Sequence, residues 1–324
     1  MNIKILSFLV KKILQKTSNL TFSGFDNIKK NIPYLFISNH RDIVLDSAIL
    51  QILLIDNGFP TTEIGIGDNL ISSGFPEYLT NLLKLFIIPR QPVRNEKIMA
   101  YKKLSTHIRE GITLRKNSIW IAQKNGRTMD GNDKTSPGLL KMLYMSNQSD
   151  FIESFNELNI VPVSISYEYE PCDYLKVWET SLHGNFNTFD LYEDLDSIIT
   201  GLIEQKGNIH LSIGKCLNLK ELEELKELKT NKQRFTQLAE IIDKQIYDNY
   251  KLWNTNFIAH YILMHSTPSR DIFKYISFFN QKEKQNFIKY MDKRLEKLKG
   301  DKKLLKQIFL NIYAYPFFNK TMPF

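Results

Sequence analysis

The hydrophobic positions of the chain fall into two regimes. Up to about residue 215, apolar runs of strand length recur at 34–38, 62–67, 85–89, 118–123, 160–168, 175–179 and 209–214. Helical patterns lie between the early runs, at 47–55, 96–116 and 138–145. Strands alternating with helices predict an α/β fold, a mostly parallel sheet flanked by helices. The run "IVPVSISYEYE" begins apolar and then alternates, as a strand does on leaving a core. After residue 215 the pattern becomes helical, with no strand-like run, and Pro268 and Gly300 supply breaks between helices. The expected organisation is an α/β domain over 1–216 and an all-helical C-terminal region over 217–324.

The first residues, "MNIKILSFLVKKILQKTSNL", form a distinct pattern. The apolar stretch "ILSFLV" is short, lysines follow it, and no small-residue cleavage site appears, so a secretory signal is not expected. Ile3, Leu6, Phe8, Leu9, Ile13 and Leu14 form one broad helical face, with Lys4, Lys11, Lys12 and Lys16 largely off it. A basic amphipathic helix of this kind either lies in a membrane interface or packs on its own domain. No run in the chain reaches the roughly 18 apolar residues that span a bilayer.

Composition narrows the picture a little. At 43% hydrophobic over 324 residues the chain can bury a large core. Lys and Arg outnumber Asp and Glu by 43 to 35, a formal charge of +8. That excess suits an anionic surface such as phospholipid headgroups; no nucleic-acid-binding motif accompanies it. The two cysteines, Cys172 and Cys216, form no CxxC pair, so a structural zinc site and a disulfide framework are not expected and a reducing cytoplasm fits.

Chemistry concentrates first in "SNHRDIVLD", residues 38–46, between the apolar runs "YLFI" and "SAILQILLI". His40-Arg41-Asp42 spells a kinase catalytic triplet, but Ser47 stands where that loop needs Asn, and no DFG or glycine-rich phosphate loop is present. "GIGDNL" at 65–70 begins like a dinucleotide fingerprint and lacks its third glycine. The strand–loop–helix context is more informative. It places His40 at the C-terminal edge of a sheet, where α/β proteins keep their sites. A helix starts near Asp46, whose carboxylate suits a helix N-terminus and can hold one nitrogen of His40. The other nitrogen is then free to act as a general base. Asp42, two residues from His40, is the alternative partner.

Three later segments extend the pattern. "LLKLFIIPR" ends an apolar run on Arg90, "SIWIAQKNGRTMDG" ends another on Lys124, Asn125, Gly126 and Arg127, and "NIVPVSISYE" carries Pro162 inside a third. Guanidinium groups at two strand ends can grip phosphate or carboxylate, and the glycine lets backbone approach a ligand. In this order the four blocks resemble those of the glycerolipid acyltransferases, the family of the lysophosphatidic acid and glycerol-3-phosphate acyltransferases. Its NHxxxxD block corresponds to Asn39-His40 with Asp46, its strand ending in Arg to Arg90, its EGTR-like turn to "KNGRT", and its Pro-containing apolar block to "IVPVS". The match spans about residues 34–168 and departs from the family twice. Five residues separate His40 from Asp46 instead of four, leaving Leu45 at the family's Asp position, and Asn125 replaces the usual Glu.

The resemblance implies transfer of a fatty acyl group from a thioester, acyl-CoA or acyl carrier protein, to a hydroxyl of a glycerol-phosphate or lysophospholipid acceptor, in membrane lipid biosynthesis. His40 would be the base and Asp46 (or Asp42) its partner. Asn39, Arg41, Arg90, Lys124, Gly126, Arg127 and Pro162 would form the substrate site. No metal or bound cofactor is implied. The expected place is peripheral, on anionic phospholipid at the inner face of the cytoplasmic membrane. The two departures keep two alternatives open: a lyso-aminolipid acceptor, and a lipid-binding member without catalysis. The Lys-rich C-terminal helices suit either a membrane surface or a lid or dimer contact.

Overall fold

The computed structural model describes residues 3–72, 82–90, 95–183, 191–265 and 278–322. Pro268 lies outside them. Among the described residues the chain forms strands β1 (Ser18–Ser23), β2 (Leu35–Ser38), β3 (Glu63–Gly67), β4 (Leu85–Ile88), β5 (Ile119–Ala122), β6 (Ile160–Tyr167) and β7 (Gly207–Ile213). They make one seven-stranded sheet in the order β1-β7-β6-β2-β5-β3-β4. Strands β2 to β6 run parallel; β7 pairs antiparallel to β6, and the edge strand β1 follows β7 in parallel.

Side-chain alternation along the strands builds two cores, one on each face. Leu35, Ile37, Ile119, Ile121 and Ile160 point to one face. There they meet α4 (Lys97–Thr113), α5 (Pro137–Tyr144), α6 (Phe151–Asn156), α9 (Leu219–Glu223) and α10 (Asn231–Asn249), while α3 (Asp68–Ser72) follows β3 and α8 (Leu191–Ile203) precedes β7. Phe36, Trp120, Val161, Val163 and Ile165 point to the other, against α1 (Ile3–Thr17) and α2 (Leu45–Asp56). Each fully buried Leu or Ile contributes about 1.5–3 kcal/mol. A third core joins α7 (Asp173–His183), α11 (Asn254–His265), α12 (Gln281–Leu295) and α13 (Lys302–Thr321). The change of character near residue 217 is thus a change of secondary structure more than of core, since α9 and α10 share the sheet's own apolar cluster. Capping boxes at Asn218/Glu221, Thr230/Gln233 and Asn280/Glu283 start α9, α10 and α12, each satisfying two helix-end donors. Gly300 falls, as expected, between α12 and α13.

One expected strand is a helix. The run 175–179 lies inside α7, whose buried positions are Asp173, Lys176, Val177 and Glu179. Three of those four are charged, so counting apolar residues alone hides the helix. In α1 the apolar face is divided: Leu14 is buried in the sheet core, while Phe8 and Leu9 are 54% and 47% exposed. The side chains of Ile3 and Leu6 lie outside the described set. Pro162 sits within β6, where its carbonyl accepts from Gly214 N at 2.8 Å. A strand residue's N–H and C=O point the same way, so its missing donor falls beyond the last β6–β7 pair, Val163 with Ile213. It is a sheet residue and does not line the cavity described below.

Candidate active site

Strand β2 ends at Ser38, and the chain turns through 39–44 into α2. Asn39 is sealed in that turn. Its amide donates to Ile165 O at 2.9 Å and Asp133 Oδ2 at 3.1 Å, and its Oδ1 accepts from Ile165 N at 2.8 Å. The loop is therefore stitched to β6. Asp46, the second residue of α2, comes round to it: Oδ2 lies 2.9 Å from His40 Nδ1 and accepts from Arg41 N at 2.6 Å and Asp42 N at 2.9 Å. Oδ1 accepts from the Tyr167 hydroxyl at 2.7 Å. Burial, and then the charge of Asp46, hold the Tyr167 phenol well above its usual range, so it remains a donor. A carboxylate oxygen can only accept, which assigns the proton to His40 Nδ1 and a lone pair to Nε2.

The extra residue between His40 and Asp46 is absorbed by Asp42. Its Oδ1 accepts from Val44 N at 2.9 Å and Leu45 N at 2.7 Å, closing a turn before the helix. Asp42 thus faces the helix start, and Asp46 faces the imidazole. Burial, reinforced by Asp46, raises the Asp42 carboxyl above the usual range.

Arg41 does not reach a substrate position. It is 1% exposed and donates to Asp133 Oδ2, Glu170 Oε2 and Gly131 O at 2.6–3.1 Å. Burial alone would lower its pKa, but Asp133 and Glu170 outweigh that and hold it well above the usual value. Lys176 Nζ adds bonds to Arg41 O and Glu170 Oε1, both 2.7 Å. Asp133 also accepts from Thr128 Oγ1 at 2.6 Å, so one carboxylate ties Asn39, Arg41 and the turn after β5 together.

That turn brings the second block to the first. Gly126 has φ 73°, a left-handed conformation that glycine adopts without strain, and Thr128 N donates to His40 O at 2.7 Å. Lys124 Nζ donates to Asn132 O at 3.1 Å, and Arg127 Nη2 donates to Glu179 Oε1 on α7 at 2.6 Å. Arg90 follows β4 and lies across the end of β3. A Cβ at Gly67 would stand 2.2 Å from Arg90 Nε, so only glycine leaves room for that guanidinium.

These strand ends enclose a cavity of about 550 Å3. His40, Arg90, Lys124, Gly126 and Arg127 all line it, with Asp46 behind the imidazole; Asn39, Arg41 and Pro162 do not. The Nδ1 edge of His40 is taken by Asp46 and the residue lines the cavity, with Trp120 packed edge-on at 5.8 Å between centroids. The wall combines apolar side chains, among them Ile43, Ile66, Ile88, Leu104, Leu139 and Met142, with the cations Arg90, Lys97, Lys124, Arg127 and Lys141. Sequence reasoning missed Asp133, Tyr167, Glu179 and Gly67. Only Gly67 left a trace, in the "GIGDNL" run, because the others sit in unrelated segments and gain a role through packing. Cys172 and Cys216 lie off the cavity, their thiols pushed up to about 12 and about 11, chiefly by burial. His107 is bonded to Glu63, and His210 to Thr21 and Ser23, away from the site. Among the described residues no helix is long and apolar enough to cross a membrane, and no three His, Cys, Asp or Glu converge as metal ligands.

No family model matches the sequence, and no curated protein matches it. Among solved structures, the chain is similar to the 1-acyl-sn-glycerophosphate (LPA) acyltransferase PlsC from Thermotoga maritima. The identity is 14%, the match covers 75% of this chain and 76% of that one, and the TM-score is 0.43.

Proposed function

We propose that the protein is an acyltransferase, moving a fatty acyl group from a thioester on coenzyme A or acyl carrier protein to a hydroxyl of a lysolipid or glycerol-phosphate acceptor. The observation that carries this is His40, which lines a cavity both apolar and cationic while its Nδ1 is held 2.9 Å from Asp46. His40 Nε2 accepts the hydroxyl proton as the acceptor oxygen attacks the thioester carbonyl. The tetrahedral intermediate collapses, the C–S bond breaks, and the imidazolium returns the proton to the departing thiolate. Asp46 fixes the tautomer and stabilises the imidazolium, as in other His–Asp pairs. The apolar wall takes the acyl chain. Arg90 and Arg127, with Lys124 nearby, bind anionic parts of the two substrates.

The chemistry requires no bound metal or cofactor. A lysolipid acceptor and the acylated product are amphiphiles, so the work is done at a membrane surface, on the inner face of the cytoplasmic membrane. Phe8 and Leu9, exposed on α1 beside Lys12 and Lys16, are the contact proposed for anionic phospholipid. The test of the activity is His40→Ala. Acyl transfer from acyl-CoA or acyl carrier protein to a lysophospholipid should vanish, with thermal unfolding unchanged. Full transfer by that variant refutes the assignment.

A further inference from the structure

The ion pair Arg127–Glu179 has a composition that acyl transfer alone does not require. Both side chains are 7% exposed, and both line the cavity. Arg127 Nη2 is spent on Glu179 Oε1 at 2.6 Å, whereas Arg127 Nη1 is buried without a hydrogen-bond partner. A buried charged donor left without an acceptor is costly, and a ligand oxygen reaches it only where the side chains covering it give way. Glu179 is also the only acid among the described residues lining the cavity, against five cations. It comes from α7, far along the chain from the turn that carries Arg127. Within that turn Asn125, which is exposed, stands where the resembled family has its carboxylate.

We infer that Glu179 determines acceptor specificity through Arg127, favouring a headgroup that is zwitterionic or singly charged at this point over a phosphomonoester dianion. It rests on the acyl-transfer assignment and deepens it. The carboxylate does two separable things. It orients the guanidinium through the charge-assisted hydrogen bond to Nη2. It also cancels much of the Coulombic attraction that Arg127 alone would exert on a dianion, whose second charge would lie near Glu179 as well. The cations farther along the wall remain available to the phosphates of the acyl donor.

Two substitutions separate these effects. Glu179→Gln keeps the volume and a carbonyl oxygen for Nη2, and removes the charge. Glu179→Ala removes both. Acyl transfer is measured with one donor and two acceptors, 1-acylglycerol 3-phosphate as the dianion and lysophosphatidylethanolamine as the zwitterion, with thermal unfolding recorded for each variant. The wild-type protein prefers the zwitterion. Glu179→Gln shifts the ratio of kcat/KM towards the dianion by about tenfold, mainly through acceptor KM, as a change in ground-state binding does. Glu179→Ala lowers kcat/KM for both acceptors, because Arg127 is no longer held. A ratio unchanged within about twofold in Glu179→Gln, or identical behaviour of the two variants, overturns the inference and leaves acyl transfer standing. Transfer to neither acceptor by the wild type overturns acyl transfer itself.

Discussion

Replacing Asp46 by Asn tests the geometry of the dyad most directly. Three donors, His40 Nδ1, Arg41 N and Asp42 N, converge on Oδ2 at 2.6–2.9 Å. The amide oxygen of the substituted side chain must therefore occupy that position, turning its NH2 towards Tyr167. Tyr167 can reverse from donor to acceptor, so the loop loses little, about 1–3 kcal/mol if its hydroxyl proton is orphaned. What disappears is the charge opposite the imidazolium. With about 4 Å between charge centres and an effective dielectric constant of about 20, that attraction is about 4 kcal/mol. At about 1.4 kcal/mol per tenfold, kcat should fall by about 10³ while acceptor KM stays within a few-fold. Asp42→Asn is the control. Its oxygen can still accept from Val44 N and Leu45 N, and it loses a carboxylate whose burial already disfavours the charge. Its kcat should stay within about threefold of wild type, with stability equal or higher. The assay is thiol release from acyl-CoA, with urea unfolding of each variant. An Asp46→Asn enzyme retaining more than a tenth of kcat, or an Asp42→Asn enzyme losing more than Asp46→Asn, would refute the assignment of the pair.

Gly67→Ala should force Arg90 aside, since the new Cβ would sit 2.2 Å from its Nε. KM for the anionic substrate rises about tenfold with kcat nearly unchanged, and a loss confined to kcat would place Arg90 elsewhere in the mechanism. Asp243, on α10, accepts from Thr135 N and Oγ1, yet burial pushes its carboxyl up to about 7, above the ordinary 3.8. The folded state then binds more protons than the unfolded state between those values. Stability present below pH 4 is lost as pH rises towards 7, by up to about 4 kcal/mol. Asp243→Asn should flatten that slope in urea midpoints taken at pH 4.5 and 7.5; equal slopes would remove Asp243 as its source. Changing Phe8 and Leu9 together to Ser should lower sedimentation with phosphatidylglycerol vesicles by tenfold or more, since each side chain can bury roughly 1 kcal/mol or more of apolar surface in the interface. Unchanged sedimentation would transfer the contact to another surface.

The sheet was legible wherever strands carry a continuous apolar run, the half-exposed edge strand β4 included. Six of the expected runs lie within two residues of β2 to β7, because continuous apolar runs bounded by turns have few other uses. Strand β1, "SNLTFS", was not legible. It is an edge strand with only Ser18 and Leu20 half-covered, so it carries no apolar run, and its pairing with β7 is set by a segment almost two hundred residues away. The reversed direction of β7 escaped for the same reason: direction is a property of the pairing and leaves no mark in composition.

The site divides along a similar line. His40, Arg90 and Arg127 could be placed because each ends a strand, and strand ends at one edge of a parallel sheet are brought together by topology. Arg41 could not, because a charged residue in a loop beside a histidine reads as exposed. It is buried because Asp133, and Glu170 with Lys176 at the start of α7, complete its charge network. Such a network need not stabilise the fold, since desolvating its ions costs about as much as their pairing returns. Its value here is positional. Asp133 holds Asn39 and Arg41 on one side and Thr128 on the other, while Thr128 N is bonded to His40 O at 2.7 Å. A general base works only if its lone pair is already aimed when substrate arrives, and a six-residue loop cannot aim it unaided. The residues flanking His40 are therefore committed to holding the loop, and in the proposed mechanism contact with substrate passes to the strand ends across the cavity.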